Sequence, residues 1–328
     1  MKVALVYDGS EAQECLGDLP EDFGAEYDED ATIRALLEAI GACGYDAVGV
    51  ALAADFPQRI ARIEPQMVFN IAEGIRGRCR ESIVPAWLDH VSIPYTGSDG
   101  LTLAISLDKA LTKALMVDRG VRTPLFRRVA SEAELRGVEL EFPLFVKPNG
   151  EGSSMGIRRS SLVRSQEELE RQANWVLRTY RQDCLVESFA PGREFCVGVL
   201  GNEELELLPI AEVRCPDSFY SYEHKRQHEK QLICPAQIGQ GLEREMLEMA
   251  EIAYRTLGCR DFARVDLKLD AKGLPTFLEI NPLPGLSPSY SIFTHQARAG
   301  GRTYEKLIGR IVELAFERAE NRRERIKT

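Results

Sequence analysis

The stretch ARVDLKLDAKGLPTFLEIN, residues 263–281, leaves a chain like this the fewest options. Its two halves alternate polar and apolar residues around a turn-prone DAKGLP, so it reads as a β-hairpin. Arg264, Asp266 and Lys268 share one face of the first strand, and Ala263, Val265, Leu267 and Leu269 share the other. In the second strand Thr276, Leu278 and Ile280 are expected to face the core, with Phe277, Glu279 and Asn281 joining the polar set. A turn centred between residues 272 and 273 sets Asp266 across from Glu279 and Arg264 across from Asn281, with Cβ atoms about 4.5–5.5 Å apart. Two carboxylates and an amide oxygen at that separation suit magnesium and leave coordination positions for phosphate oxygens. The same alternation also suits a half-solvated hairpin with an arginine–carboxylate network.

Upstream, KVALVY, ATIRALLEAIGAC, DAVGVAL and QMVFNIAE alternate strand-like and helix-like patches, as βαβ units of a parallel sheet do. Between Glu11 and Asp30 lie nine acidic residues and no lysine or arginine. Broken by Gly17, Pro20 and Gly24, this segment reads as a solvated loop before a helix, with a share in a substrate pocket as the alternative. A domain boundary falls near IPYTGSDG, residues 93–100. PLFVKP, LVES and EFCVGVL read as strands. The helix over 242–257 lines up Leu242, Met246, Met249, Ala253 and Leu257, and the final helix turns Leu307, Ile311 and Leu314 inward.

A second chemical segment is FVKPNGEGSSMG, residues 145–156. Lys147 ends a strand, and the glycines that follow let main-chain N–H groups approach an anion beside serine hydroxyls. It lacks the spacing of a Walker A loop, and by itself it also fits a flexible surface hairpin. The net charge of −10 argues against nucleic acid as a partner. No apolar run approaches the roughly 20 residues that cross a bilayer, and the start is too brief for a secretory h-region, so no membrane partner and a cytoplasmic location are expected. Eight scattered cysteines without a C-x-x-C pair and four dispersed histidines favour oxygen-ligated magnesium over zinc.

Together the two segments resemble the ATP-grasp superfamily, and YTGSDGLTLAISLDKALTK narrows the resemblance to the D-alanine–D-alanine ligase group. The blocks run in the family's order across roughly residues 66–315: YTGS and DK-x-x-TK, VKP with EGSS-x-G, VE with G-x-EF, FY-x-YE-x-K, R-x-D, then E-x-N and PG. The resemblance implies an α/β fold of the α+β ATP-grasp kind. An N-terminal parallel-sheet domain (1–97) would precede two α+β subdomains (98–190 and 191–328) that clasp ATP. It implies nucleotide-phosphate contacts from Lys109 and Lys147, under a mobile flap carrying Ser153 and Ser154. Glu187 and the backbone near Ala190 would meet adenine, Glu194 the ribose, and Lys225 the nucleotide from a second loop. Asp266, Glu279 and Asn281 would hold Mg2+, with Mn2+ as a substitute. Arg264, the Gly285 N–H and Ser153 would serve catalysis. The implied reaction joins small amino-acid or carboxylic-acid substrates through an acyl phosphate, and a homodimer is compatible with it. Other ATP-grasp ligases or cyclases of specialised metabolism share these blocks. A non-catalytic nucleotide-binding protein would be expected to have lost Asp266, Glu279 or Asn281.

Four departures from the family pattern lie on the substrate side. The N-terminal glutamate motif is replaced by DGSEAQE, which offers Glu11 or Glu14. AEGIRGRCRES, residues 72–82, replaces HG-x-x-GEDG and brings Arg76, Arg78 and Arg80, either solvated or facing an acidic substrate. Arg226 stands where a tyrosine is usual, and NPLPGLSPSYS replaces N-T-x-P-G-M-T-x-H-S.

Overall fold

The computed structural model describes residues 1–9, 20–27, 29–215, 219 and 231–327. Its first sheet is parallel, with order β2-β1-β3, from β1 (Lys2–Asp8), β2 (Asp46–Leu52) and β3 (Met67–Asn70). Val3 to Val6 are fully buried, because a central strand of a doubly covered parallel sheet has no solvent face and so does not alternate. Helix α1 (Asp30–Ala42) covers one face through Ile33, Leu36 and Ile40. Helices α2 (Phe56–Ile63) and α3 (Ile83–His90) cover the other through Phe56, Ile60, Val84 and Leu88.

Helices α4 (Gly100–Leu107) and α5 (Lys109–Asp118) lead into a second sheet. It is antiparallel with order β4-β7-β5-β6, from β4 (Phe126–Val129), β5 (Leu144–Pro148), β6 (Leu162–Val163) and β7 (Cys184–Ser188). Helix α6 (Gln166–Tyr180), capped by the Ser165 hydroxyl, packs Leu169, Ala173 and Val176 on it. The third sheet has order β11-β10-β8-β12-β13 with β9 beside β8. Its strands are β8 (Glu194–Gly201), β9 (Leu205–Leu207), β10 (Ala211–Arg214), β11 (Gln231–Ile233), β12 (Phe262–Leu269) and β13 (Pro275–Asn281). Helix α7 (Gln240–Leu257) lays Met246, Met249, Ala253 and Leu257 against this sheet. It stops at Gly258, whose φ of 68° suits a residue without Cβ. After α8 (Ile292–Ala299), α9 (Tyr304–Lys327) returns to the first sheet and packs Leu307, Ile311 and Leu314 with α1. The helix placed by sequence in the unit 191–328 therefore covers the N-terminal sheet. No helix among the described residues is long and apolar enough to cross a membrane.

The hairpin β12–β13 has Asp266 opposite Glu279 and Arg264 opposite Asn281, as the alternation predicts. The ladder then skips Leu278, pairing Leu267 with Phe277. This β-bulge reverses two expected positions. Phe277 is fully buried in the core under α7, whereas Leu278 lines the cavity described below.

At the root of the 216–230 segment, Glu212 of β10 is buried between two arginines. Arg193 binds it at 2.9 and 2.6 Å, and Arg214 at 2.8 and 3.1 Å. Hydrogen bonds from Arg193, opposed by burial and reinforced by Arg214, bring the Glu212 carboxyl from 4.5 down to about 2. A depressed carboxyl contributes stability that is complete above its unfolded value and lost as pH falls through the folded one. Glu212→Gln is accordingly expected to cost about 1–3 kcal/mol at neutral pH, discounted for the part-exposed arginines. In urea unfolding, the gap from the parent should close between pH 4.5 and 2.

Candidate active site

The three sheets surround a cavity of about 810 Å3. Lys109, Lys147, Ser153, Ser154, Glu187, Ala190, Glu194, Arg264, Asp266, Glu279 and Gly285 all line it. Asn281 lines an adjoining recess of about 90 Å3 together with Lys109, Ser153, Arg264, Glu279 and Gly285. Residues distant in sequence thus converge on one space. Lys225 and Arg226, with Glu11 and Glu14, lie outside the described residues.

On the hairpin face, Arg264 binds Asp266 bidentately, both bonds at 2.7 Å, and the Asn281 amide donates to Asp266 at 3.0 Å. The arginine–carboxylate network anticipated for a half-solvated hairpin therefore exists, but it faces a cavity. Burial lowers the Arg264 pKa and pairing with Asp266 raises it further, for a net rise. Glu279 lies 3.2 Å from the Lys109 ammonium. Burial pushes the Glu279 carboxyl up, but Lys109, Lys147 and Arg264 pull it down to about 2. Both carboxylates are thus paired with cations, in a place where a metal ion could take over as their partner.

Lys109 opens α5, whose N-cap Asp108 accepts from the Leu111 N–H at 3.1 Å, and its ammonium also bonds the Glu151 carbonyl. One turn along, Lys113 is fully buried, a residue that sequence reasoning missed. Its spacing of four from Lys109 was the available signal, because it puts both lysines on one helical face. Lys113 sits 2.9 Å from Glu187 and donates to the Thr123 hydroxyl at 2.8 Å and to the Phe277 carbonyl at 3.3 Å. Lys147, at the end of β5, takes the other Glu187 oxygen at 2.7 Å. Burial takes the Lys113 ammonium from 10.5 down to about 8 despite Glu187. Burial also opposes the charge on Glu187, yet the two lysines lower its pKa. Glu194 is oriented by Lys268 at 3.0 Å. Phe145, Phe189 and Phe219 pack edge and face with centroids 5.1–6.4 Å apart, forming an aromatic end to the cavity.

The acidic segment and two of the departures from the family pattern also have places. Gly24, Tyr27 and Glu29 of the acidic segment line the cavity. In the 72–82 loop Arg80 is buried, while Arg78 binds Asp108 at 2.7 Å, so neither is merely solvated. In the 286–291 segment, Leu286 joins the core and Ser291 accepts the Ser287 N–H at 2.9 Å. A Cβ at Gly285 would stand 3.0 Å from the Ser291 hydroxyl, so the turn folds closely on itself.

The family model described as D-ala D-ala ligase C-terminus matches residues 125–313. This chain belongs to the D-alanine–D-alanine ligase family. Relatives within reach include the D-alanine–D-alanine ligase of Bordetella petrii, 38% identical over 232 residues that make up 70% of each chain. The uncharacterized protein y4sG of Sinorhizobium fredii is 38% identical over 267 residues, 80% of this chain and 78% of that one. Among solved structures, the D-alanine–D-alanine ligase of Bacillus anthracis complexed with ATP superposes with a TM-score of 0.78. That match covers 98% of this chain and 99% of the other at 21% identity, which establishes the ATP-grasp fold. The matched residues 125–313 include every lining group of the D-alanine–D-alanine ligase family motifs except Lys109.

Proposed function

We infer that the chain is an ATP-dependent carboxylate–amine ligase that forms a peptide or amide bond through an acyl phosphate and releases ADP and phosphate. The observation that carries this is the convergence, on one cavity, of the Arg264–Asp266 and Lys109–Glu279 pairs with the Lys147–Glu187 pair and the 150–156 flap. The ATP bound by the Bacillus anthracis ligase supports the same use here.

In this reading Lys109 and Lys147 neutralise nucleotide phosphates, with Ser153 and Ser154 over them. Glu187 and the backbone near Ala190 receive adenine, Glu194 the ribose hydroxyls, and Lys225 approaches from the second loop. The units divide at 1–97, 98–190 and 191–328, with α9 returned to the first. A substrate carboxylate oxygen attacks the γ-phosphorus and ADP leaves. An amine then attacks the acyl carbon, and the departing phosphate takes up the proton that the nitrogen sheds. Arg264 and the Gly285 N–H stabilise the oxyanion of that second step. The flap keeps water from the acyl phosphate.

Magnesium, or manganese in its place, fits the residues present. Asp266 and Glu279 offer carboxylate oxygens, and the Asn281 amide, with its NH2 on Asp266, has its oxygen left for a cation. Two carboxylates and one amide oxygen suit an ion whose coordination shell phosphate oxygens complete. When bound, such an ion neutralises charge on the transferring phosphoryl group.

Substrate identity is tested by measuring ADP release against panels of D- and L-amino acids and identifying products by mass. Some amino-acid pair should drive ADP release, and D-alanine with itself should not be the best pair. The ground is that the substrate-side segments differ while the phosphate side is intact. A buried group left unpaired by the wrong substrate costs about 1–3 kcal/mol, roughly 5- to 150-fold in kcat/KM. No pair-dependent ADP release would defeat the ligase reading, and a highest kcat/KM for D-alanine dimerisation would defeat the changed specificity.

A further inference from the structure

We infer that Asp22 and Arg80, both from N-terminal segments that border the cavity, are positioning residues that fasten the glycine-rich flap shut. This rests on the reading of 150–156 as the cover of the phosphate site.

The flap main chain is tightly shaped. Ser153, Ser154 and Gly156 have φ of 49°, 62° and 72°. A Cβ at Gly156 would meet Pro148 at 2.3 Å, so only glycine fits. At this far end the Gly156 N–H donates to Asp22 at 2.8 Å. The Asp22 carboxylate is fully buried, and its other partner is the Tyr180 hydroxyl at 2.7 Å. A buried carboxyl that loses either donor is left with an unsatisfied acceptor, so both bonds hold this end of the flap in place. The acidic segment thus sends one side chain under the flap while Gly24, Tyr27 and Glu29 line the cavity beside it.

At the near end Arg80 reaches across from the 72–82 loop. Its guanidinium donates to the Gly150 carbonyl and to the Glu151 carboxylate, each at 2.9 Å. Gln182 accepts the Gly150 N–H at 2.7 Å and donates to the other Glu151 oxygen. The loop that presents Arg80 is itself tied down, because Asp8 at the end of β1 accepts the Glu73 N–H at 2.7 Å and the Gly74 N–H at 3.1 Å. The acidic segment, through Asp22, and one of the four departures from the family pattern, through Arg80, therefore grip opposite ends of one flap. Opening the phosphate site requires both grips to release, which links nucleotide exchange to these N-terminal segments.

Hydrogen exchange on the nucleotide-free full chain tests this, comparing the parent with Arg80→Ala, Arg80→Lys, Asp22→Ala and the milder Tyr180→Phe. Amides of 152–156 should exchange about tenfold faster or more in the two alanine variants, the scale of one lost bond to a charged group. Helix α7 should be unchanged in exchange, and Arg80→Lys should recover part of the protection. If an alanine variant unfolds, Arg80→Lys and Tyr180→Phe must still show graded flap exposure. Flap exchange unaltered in the folded variants overturns the inference. A parallel run with magnesium and a non-hydrolysable ATP analogue separates the premise: if the analogue fails to slow flap exchange in the parent, the phosphate-cover reading is what fails.

Discussion

Glu279→Gln should lower magnesium-dependent ATP turnover by about 10³-fold while leaving the fold intact, the scale on which one preorganised charge matters to catalysis. The Glu279 carboxyl is held near 2, so it is ionised at every working pH, and the amide removes that charge at constant shape. Its partner Lys109 keeps its bond to the Glu151 carbonyl and can still donate to the amide oxygen, so the structural cost is small. Asp266→Asn should abolish turnover as well but behave differently in unfolding. It strands the largely buried Arg264 guanidinium, which both bonds of the pair now satisfy, and breaking a buried pair costs about 3–5 kcal/mol. Initial rates of ADP release with urea unfolding separate the two variants. Turnover within fivefold of the parent in Glu279→Gln, roughly 1 kcal/mol of barrier, would sink the metal-site assignment.

Lys113→Met is the second large effect, and it should fall on nucleotide affinity more than on the chemical step. The Lys113 ammonium touches no open part of the cavity; its three acceptors are Glu187, the Thr123 hydroxyl and the Phe277 carbonyl. With it in place two lysines share one glutamate, which leaves Lys147 a surplus of positive charge for phosphate. Without it Lys147 and Glu187 neutralise each other. The Thr123 hydroxyl still bonds Phe277 at 2.8 Å, so the junction of α5 with β13 survives in part. Bonds to charged groups are worth about 1.5–3 kcal/mol, so the Kd for a non-hydrolysable ATP analogue should rise about 10- to 100-fold by calorimetry. An unchanged Kd in a folded variant would show that Lys113 serves packing alone.

Much of this is legible in the amino-acid sequence. Side-chain alternation in β12 and β13 carries register, so the pairs Asp266–Glu279 and Arg264–Asn281 follow from counting outward from a turn. A bulge leaves no such trace, since Phe277 and Leu278 are both apolar and either suits the core. Short motifs located Lys109 and Lys147 but not their partners, because contacts such as Lys113 with Glu187 and Arg80 with Glu151 join residues far apart in sequence. The acidic residues of the first segment read as solvated on charge alone. Asp22 is buried only because Gly156 and Tyr180, far away in sequence, offer it donors.

The return of α9 to the first sheet also has a consequence for how the protein is made. Val3 and Leu5 of β1 share one core cluster with Leu307 and Ile311 of α9, which packs beside α1. At a synthesis rate of about 5–20 residues per second, the roughly 300 residues between them take on the order of 15–60 s to emerge from the ribosome. For that interval the earliest strand and α1 carry an uncovered apolar side, a surface of the kind that chaperones shield. The β2-β1-β3 sheet is thus synthesised well before the helix that completes its core, and its folding finishes only once α9 has emerged.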